Sequence, residues 1–305
     1  MSGVLLVDKP EGPTSHDVVR WARKVFGTRS VGHAGTLDPM ATGVLVIAIG
    51  EATKLVPYLM AGDKRYEAEI TLGAATDTLD ARGVVTERAD VPSDLTEAAV
   101  TWALDSFGAG YHQEAPVVSA LKKDGRSLHA RVRAGEEVTA PVRWVELRSL
   151  ELLALSGPQI RLAVHCGKGF YVRSLARDLA VRLGTVGHLS ALRRTASGAY
   201  AVSECVSGIA LREAAGEVEK REAIHSALLS LEEATRAMPT LVLDADGRED
   251  ARQGRPIAPA RFEVIHRGEA DAPVRMLDRS GSLVAIGRVS DDGTARVVRG
   301  FRRDG

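Results

Sequence analysis

Residues 32–43 read Gly-His-Ala-Gly-Thr-Leu-Asp-Pro-Met-Ala-Thr-Gly, and the aliphatic run of residues 44–49 follows directly. The three glycines allow backbone conformations that other residues rarely adopt. Pro39 disfavours the helical conformation for Asp38, so we expect Asp38 in extended backbone, just before a buried strand of β-branched character. A carboxylate held by a loop against a rigid sheet is well presented for chemistry; the alternative is that Asp38 only caps a turn.

Regular patterns flank this stretch on both sides. Residues 4–7 are typical of a buried strand, and apolar residues at helical spacing run from a cap at Thr14 or Ser15 up to Gly27. Residues 30–40 are expected to form a loop. The other predicted elements are a strand at 65–72 with a hairpin partner beginning at 84–85, a helix at 95–107, strands at 142–155 and 159–166, and a helix at 170–183. This mixture, which lacks a regular strand–helix alternation, predicts an α+β fold.

The pattern changes near the C-terminus. Residues 209–235 are charged and rich in Ala and Glu, which favours helix. From about residue 238, short strand-like pieces alternate with Gly and Asp turns. We therefore predict two domains, residues 1–235 and a small β-rich domain of residues 236–305.

Composition narrows the class of protein. The chain has 305 residues, and its 40 Lys and Arg balance 40 Asp and Glu, which argues against a purely electrostatic nucleic-acid binder. The charge is uneven, because residues 161–194 contain seven basic residues against Asp178 alone. Such a stretch suits a phosphate backbone, and a solvated helix face explains it equally well. Two distant cysteines, with no signal-like or membrane-length apolar run, predict a cytoplasmic protein without membrane insertion.

Other chemistries lack a convincing residue set. His165 and Cys166 are adjacent and would point to opposite faces of a strand, which makes a poor zinc site. A glycine-rich phosphate loop ending in Gly-Lys-Ser/Thr is absent. Ser30, His33 and Asp38 suggest a hydrolase triad, but no nucleophile-elbow sequence supports it. We therefore expect neither a metal nor a nucleotide cofactor.

Two further segments carry side chains suited to RNA or to ion pairing. Lys64-Arg65-Tyr66 places an aromatic ring beside two cations, which suits base stacking, although a half-buried strand tyrosine is the simpler interpretation. In residues 165–174 a strand ends, a glycine turn follows and a helix begins, and helix N-termini attract anions. Arg173 could pair there with a carboxylate, whereas the alternative is that the neighbouring aromatics only anchor the helix.

Together these segments resemble the TruB family of tRNA pseudouridine synthases. Residues 32–45, 64–66 and 168–173 carry the resemblance in the family's order and spacing, and it covers about residues 3–200. It implies a pseudouridine synthase fold, with a mixed, largely antiparallel central sheet flanked by helices, and a PUA-like, RNA-binding C-terminal domain. Supporting segments are Asp8-Lys9-Pro10 with Thr14-Ser15, Ser119-Ala120-Leu121-Lys122 with Gly125-Arg126, and Leu192-Arg193-Arg194.

The resemblance implies that uridine 55 in the T-loop of tRNA is flipped out and isomerised to pseudouridine without a cofactor. The uracil leaves the ribose at N1 and reattaches through C5, so neither a redox change nor an external reagent is needed. The expected partner is the T-arm of tRNA, and we expect a monomer. The alternative is a non-catalytic tRNA-binding or RNA-folding protein that uses the same surface. Val118 and His129 depart from the aromatic and the Tyr that the family often has there, so no RNA-binding role is assigned to them.

Roles for individual residues follow from the same resemblance. Asp38 is the essential carboxylate, acting as nucleophile or as base at the ribose C2′, and Arg173 pairs with it and keeps it charged and aimed. Tyr66 stacks on the flipped uracil, and Tyr171 is the pocket tyrosine that removes the C5 proton. The remaining roles are His33 as a wedge in the RNA loop, Leu192 and Lys9 at the substrate pocket, and Lys64, Arg65, Arg193 and Arg194 at the RNA backbone.

Overall fold

The computed structural model describes residues 1–117, 122–123, 126–127, 136, 140–266 and 272–302 of the chain. Its strands are β1 (Gly3–Lys9), β2 (Val31–His33), β3 (Thr42–Ile49), β4 (Lys64–Leu72), β5 (Ala74–Thr76), β6 (Val85–Arg88), β7 (Gly110–Glu114), β8 (Lys122–Lys123), β9 (Arg126–Ser127), β10 (Val142–Ser156), β11 (Gln159–Cys166), β12 (Gly187–Ser197), β13 (Tyr200–Ala201), β14 (Val206–Ser207), β15 (Thr240–Leu243), β16 (Phe262–His266), β17 (Val274–Asp278), β18 (Leu283–Val289) and β19 (Ala295–Gly300). Its α-helices are α1 (Ser15–Phe26), α2 (Val56–Ala61), α3 (Glu97–Asp105), α4 (Val172–Arg182), α5 (Gly208–Gly216), α6 (Arg221–His225), α7 (Leu231–Ala234) and α8 (Ala245–Gln253). Within these ranges, none of the helices combines the length and the apolar character needed to cross a membrane.

The larger sheet is built from ten of the strands that precede residue 208, whereas β5 pairs with β6 and β8 with β9 in two separate small sheets. Its main order is β14-β1-β3-β12-β4-β11-β10-β7, with β2 paired to β3 and β13 to β12. Its neighbours are antiparallel except for β1 with β14 and β3 with β12, which are parallel. Apolar residues of α1, α3, α4 and α5 share one core cluster with residues of this sheet. The predicted α+β class with a mixed, largely antiparallel sheet is therefore confirmed.

Helix α1 begins and ends where its capping residues predict. Thr14 Oγ1 accepts a hydrogen bond from the Asp17 amide, and the Asp17 carboxylate accepts one from the Thr14 amide, which forms a capping box. Gly27 follows the helix with a φ of 62°, in the left-handed region that favours glycine. The predicted helix is confirmed, and so are the strands that became β1, β4, β10 and β11.

Strand β12 lies in the middle of the larger sheet, between β3 and β4. It pairs with β4 along its whole length, but with β3 only where Arg193 and Arg194 lie opposite Thr42 and Gly43. Gly43 has a φ of 98°, and a Cβ atom added there would lie 2.2 Å from the Arg194 carbonyl oxygen. Glycine is therefore required where the loop enters β3, because any side chain would collide with β12.

Several elements of this region differ from their prediction. Residues 31–33 form β2 within the predicted loop, because they pair with β3. Strand β6 pairs with β5 and not with β4, whose two edges are occupied by β11 and β12. The predicted helix at 209–235 is broken into α5, α6 and α7, since α5 ends at Gly216 and Ser230 caps a new helix.

The C-terminal region forms a separate five-stranded sheet in the order β16-β15-β17-β18-β19, which agrees with the predicted β-rich character. It also contains α8, which the sequence pattern did not predict. Leu283 and Ile286 of this region share a core cluster with Val4 and Val46 of the larger sheet. The Leu283 amide also donates to Glu232 Oε1 at 2.8 Å. The two sheets are thus in direct contact, and the boundary at residue 235 stays a prediction.

Candidate active site

A cleft of about 640 Å³ brings together the segments that the sequence analysis singled out. It is lined by loop residues 35–38, by residues 167–173 leading into α4, and by Tyr66 and Leu192 from β4 and β12. The volume lies in the range usual for ligand pockets. Residues more than a hundred positions apart in sequence therefore line one cleft.

Asp38 and Arg173 form a two-point ion pair at this cleft. Arg173 Nε lies 2.9 Å from Asp38 Oδ2, and Arg173 Nη2 donates to Asp38 Oδ1 at 3.3 Å. Arg173 is only 5% exposed, whereas the Asp38 side chain is 35% exposed. The hydrogen bond from Nη2, together with the close approach of Nε, restrains the carboxylate more than one point charge would. The buried Arg173 guanidinium therefore holds the Asp38 carboxylate so that it faces the cleft.

Arg173 is itself held by the segment that follows β5. Its Nη1 donates to the Thr78 carbonyl at 2.9 Å and lies 3.8 Å from Asp80 Oδ2. Asp80 is also buried, and its Oδ1 accepts hydrogen bonds from Thr78 Oγ1 and the Arg82 amide. The guanidinium is therefore contacted by carboxylates on two sides, which limits its rotation.

The loop around Asp38 is fixed by main-chain contacts. The Ala41 amide donates to the Asp38 carbonyl at 3.0 Å, so the backbone of Asp38 does take part in a turn. Ser15 Oγ donates to the Leu37 carbonyl at 3.0 Å and accepts from the Leu37 amide at 2.9 Å. The turn interpretation and the ion-pair interpretation therefore both apply, the first to the main chain and the second to the side chain.

Lys9 lies beneath this loop and not in the cleft. Its Nζ donates to the carbonyls of Ala41 (2.7 Å), Pro10 (2.9 Å) and Pro39 (3.3 Å). The side chain is fully buried, and burial lowers the pKa of Lys9 to about 8 although the Asp38 carboxylate opposes the shift. Lys9 was predicted to support the substrate pocket, and it contacts the loop that carries Asp38; a part in substrate binding stays a prediction.

Tyr66 and Leu192 face the cleft from adjacent strands. Leu192 lies opposite Ala68 in the β4–β12 pairing, and Tyr66 lies opposite Arg194. Burial raises the pKa of the Tyr66 phenol, so the ring presents a neutral hydroxyl. An aromatic face beside an aliphatic side chain gives the cleft an apolar surface suited to a flat base.

Tyr171 is held by two residues that the sequence analysis did not identify. The Tyr171 amide donates to Gln113 Oε1 at 2.8 Å, and Gln113 Nε2 donates to the Tyr171 carbonyl at 3.0 Å. Arg143 Nη2 donates to the Tyr171 hydroxyl at 3.3 Å. Gln113 on β7 and Arg143 on β10 lie opposite each other, and this strand register brings both to Tyr171. Neither residue belongs to a recognisable sequence motif.

Two of the four residues predicted at the RNA backbone are buried. Arg194 is 1% exposed and Lys64 is 7% exposed, and the nitrogens of both donate to backbone carbonyls. A phosphate contact would require either side chain to leave these partners, which argues against the predicted role, although both residues border the cleft. The role at the RNA backbone stays a prediction. The acceptors are the carbonyls of Val44 (2.7 Å), Gly35 (3.1 Å) and Thr36 (3.4 Å) for Arg194, and of Met60 (2.6 Å) and Gly62 for Lys64.

The other basic residues near the cleft differ in their accessibility. Arg193 forms a two-point ion pair with Asp8, with N···O distances of 3.1 and 2.8 Å. Arg65 and Lys168 are exposed, and Lys168 borders the cleft. Other arginines of residues 161–194 pair with carboxylates at the surface. This stretch is therefore not a continuous phosphate-binding face, and Arg65 and Lys168 are the best placed for one.

His33 ends β2 and lies outside the cleft lining. Its ring meets that of His16 edge-on at 5.6 Å, and its Nδ1 has no hydrogen-bond partner in the described part of the chain. Burial lowers the pKa of His33, so the ring is neutral near pH 7. Its wedge role stays a prediction. Ser119, Ala120, Leu121 and Gly125 of the supporting segments, and the departures at Val118 and His129, lie outside the described residues.

Alternative chemistry at His165 and Cys166 finds no support in the described ranges. His165 Nε2 lies 3.5 Å from Asp63, while Cys166 is buried and burial raises the pKa of its thiol to about 12. Such a thiol is no nucleophile near neutral pH. Across the residues that the structure describes, no group of three or more His, Cys, Asp or Glu side chains is arranged to hold a metal ion.

Comparison with known proteins identifies the family. Residues 23–172 match the TruB family pseudouridylate synthase (N terminal domain), and residues 173–236 match the tRNA pseudouridylate synthase B C-terminal domain. The tRNA pseudouridine synthase B of Syntrophotalea carbinolica is 43% identical over 256 residues, covering 84% of this chain and 82% of the relative. That of Leifsonia xyli subsp. xyli is 42% identical over 292 residues, covering 93% and 92%.

Solved structures share the fold. A chain of an H/ACA RNP bound to a substrate RNA containing 2'-deoxyuridine superposes with a TM-score of 0.76 at 24% identity, covering 99% of this chain and 85% of that chain. A chain of a Cbf5-Nop10-Gar1 complex superposes with a TM-score of 0.75 at 26% identity, covering 98% and 84%. The family models and the relatives indicate the same family, and the solved structures share its fold. The chain therefore belongs to the TruB family and is a pseudouridylate synthase.

Proposed function

We propose that this synthase isomerises uridine 55 in the T-loop of tRNA, in the cytoplasm and without a cofactor. The name shared by its relatives supports tRNA as the substrate. The resemblance at residues 32–45, 64–66 and 168–173 supports uridine 55 as the modified position. We expect the enzyme to act as a monomer, and residues 236–305 would add RNA contacts as a PUA-like domain.

The reaction requires the uracil to leave the RNA stack. Extruding a base costs a few kcal/mol, and stacking on an aromatic side chain returns about 1–3 kcal/mol. Tyr66 and Leu192 offer such a surface within a cleft of about 640 Å³. In the proposal the flipped uracil lies against Tyr66, with its glycosidic bond towards Asp38.

The Asp38–Arg173 pair is the observation on which the proposal rests. Arg173 holds the carboxylate through two contacts, at 2.9 and 3.3 Å, and the partly exposed Asp38 side chain is directed at the cleft. A fixed anion beside the sugar can attack carbon as a nucleophile or take the proton from the ribose C2′ as a base. As a nucleophile at the sugar, Asp38 forms a C1′–O bond as the N1–C1′ bond breaks, and the carboxylate leaves again when C5 bonds to C1′. As a base, Asp38 takes the C2′ proton as the N1–C1′ bond breaks, and it returns that proton to C2′ when C5 bonds to C1′. In both routes the uracil ring turns between the two steps.

Tyr171 is assigned the last proton transfer. Once C5 is bonded to the ribose, its proton must leave so that the C5–C6 double bond of the ring is restored. The Tyr171 side chain lines the same cleft as Asp38, and its hydroxyl is anchored by Arg143. The Tyr171 oxygen is thus assigned to accept the C5 proton while its own hydroxyl proton passes to water, so that the phenol ends neutral.

The test is incubation with an unmodified tRNA transcript, followed by mapping of pseudouridine by position. We expect pseudouridine at position 55 with the parent protein and none with Asp38→Asn, while Asp38→Asn binds tRNA with nearly the parent affinity. Asp105→Asn is the matched control, because Asp105 is an exposed residue at the end of α3, and it should retain full activity.

The outcomes separate the two function classes. A non-catalytic tRNA-binding protein predicts tRNA binding with no pseudouridine formed by the parent. Near-normal product from Asp38→Asn would refute the role assigned to the carboxylate. Product at another position alone would refute uridine 55 as the target.

A further inference from the structure

We propose that Arg143 is a positioning residue for Tyr171, and that it sets the direction in which the phenol oxygen meets the substrate. This inference rests on the proposed function, since it assigns Arg143 a part in the proton transfer given to Tyr171. Arg143 lies on β10, outside the sequence motifs quoted for the family resemblance. Its part is therefore argued from its contacts in this structure alone.

Arg143 contacts Tyr171 both at the ring and at the oxygen. Its guanidinium carbon lies 5.4 Å from the centroid of the Tyr171 ring, within range of a cation–π interaction. Its Nη2 also donates to the Tyr171 hydroxyl oxygen at 3.3 Å. Both side chains line the cleft that holds Asp38. One cation therefore restrains the ring plane and occupies one acceptor site of the oxygen.

The main chain of Tyr171 is fixed without any help from Arg143. Gln113 is 1% exposed, and its amide binds both the N–H and the C=O of Tyr171, at 2.8 and 3.0 Å. Its Nε2 also donates to the Tyr111 hydroxyl at 2.6 Å. Because the backbone is already anchored, Arg143 acts on the side chain alone.

Arg143 is a poor choice for packing only. Its Nε is buried and has no hydrogen-bond partner among the described residues. An unsatisfied buried N–H is destabilising, and an apolar side chain of similar length would avoid it. The hydrogen bond from Arg143 Nη2 to the phenol is a contact that such a side chain could not make.

The geometric consequence lies in the hydroxyl rotor. A tyrosine hydroxyl has one hydrogen, which turns about the C–O bond, and an oxygen that can accept from more than one direction. With Arg143 donating to the oxygen, the O–H hydrogen points away from the guanidinium. Such restraint matters because small misplacements of a reacting group lower rates by one to two orders of magnitude.

The experiment measures single-turnover pseudouridine formation in unmodified tRNA, and tRNA affinity separately. We expect Arg143→Gln to lower the rate constant about tenfold and to change Kd by less than about threefold. Arg143→Lys should recover part of the rate, since an ammonium can still donate to the oxygen. In a Tyr171→Phe background, Arg143→Gln should have no further effect, because the acceptor is gone.

Arg148→Gln provides a matched control on the same strand. Arg148 pairs with Asp63 and Glu146 at the surface, so its loss removes the same charge outside the cleft and should leave the rate unchanged. Parent-like rates for Arg143→Gln, an effect confined to Kd, or multiplicative losses in the double variant would each overturn the inference. A parent inactive on tRNA would overturn the proposed function and this inference with it, whereas an active parent that is insensitive to Arg143 would overturn the inference alone.

Discussion

Replacing Arg194 with methionine tests whether this arginine is a structural support or an RNA contact. Its guanidinium is buried below the loop that carries Asp38 and donates to the carbonyls of Gly35, Thr36 and Val44. Methionine fills similar space but donates no hydrogen bond. The change therefore leaves three carbonyl oxygens without this donor, and the Val44 carbonyl among them is buried.

The expected loss of stability follows from these contacts. A hydrogen bond that involves a charged group contributes roughly 1.5–3 kcal/mol, and release of the buried charge offsets part of the sum. We therefore expect Arg194→Met to lower the free energy of unfolding by about 3–5 kcal/mol. At roughly 2.1 cal/mol/K of unfolding entropy per residue, that is a fall in Tm of about 5–8 °C for a chain of this length.

The measurement is thermal unfolding followed by circular dichroism, with Arg193→Met as the matched neighbour. The Arg193 side chain is 40% exposed and pairs with Asp8, so its loss should cost at most about 1 kcal/mol. The salt dependence of tRNA binding is the second measurement. Arg194→Met should keep the parent slope, because a buried arginine releases no phosphate counterions.

One result would refute this reasoning. If Arg194→Met unfolds at the parent temperature and its salt slope falls by about one, the side chain faces RNA in solution. The carbonyl contacts would then not hold the loop.

Three other changes test the site. Tyr66→Ala should lower the single-turnover rate far more than Tyr66→Phe, because the ring covers the uracil, and equal losses would implicate the hydroxyl. Arg65→Gln should weaken tRNA binding and reduce its salt slope by about one; an unchanged slope removes Arg65 from the interface. Burial lowers the pKa of Lys9 from 10.5 to about 8, so the unfolded chain binds more protons between these values and the free energy of unfolding should rise with pH there. Urea unfolding from pH 8 to 10 should show this rise, up to ~1.4 kcal/mol per pH unit, in the parent but not in Lys9→Met.

The sequence patterns predicted the elements whose periodicity is undisturbed. Helix α1 has a cap at each end and a clear apolar stripe, and the β10–β11 hairpin turns at residues 156–158. Strand β12 was missed, because register shifts at Leu189/Ala191 and Arg194/Ala196 break its alternation. Two consecutive arginines are also unusual in a central strand, so the segment was not predicted as one.

The site was predictable where a motif carried it. Asp38, Tyr66 and Arg173 were singled out and meet at the cleft. The burial of Arg194 was not predicted, because a sequence shows the charge of an arginine but not the carbonyl oxygens around it. Arg143 and Gln113 had no local signal, since they lie 28 and 58 residues from Tyr171 and reach it through strand register.

The central place of β12 has a consequence for synthesis on the ribosome. Strands β3 and β4 leave the exit tunnel long before Gly187–Ser197, at about 5–20 residues per second, so the slot between them stays open on the order of ten seconds. During that time the nascent chain exposes two unpaired strand edges, which are templates for aggregation. A chain that stalls before β12 is made would contain all cleft residues up to Arg173. It would still be inactive, because the strand between β3 and β4 is missing. Competence for RNA chemistry thus arrives late in translation, when one strand closes the gap.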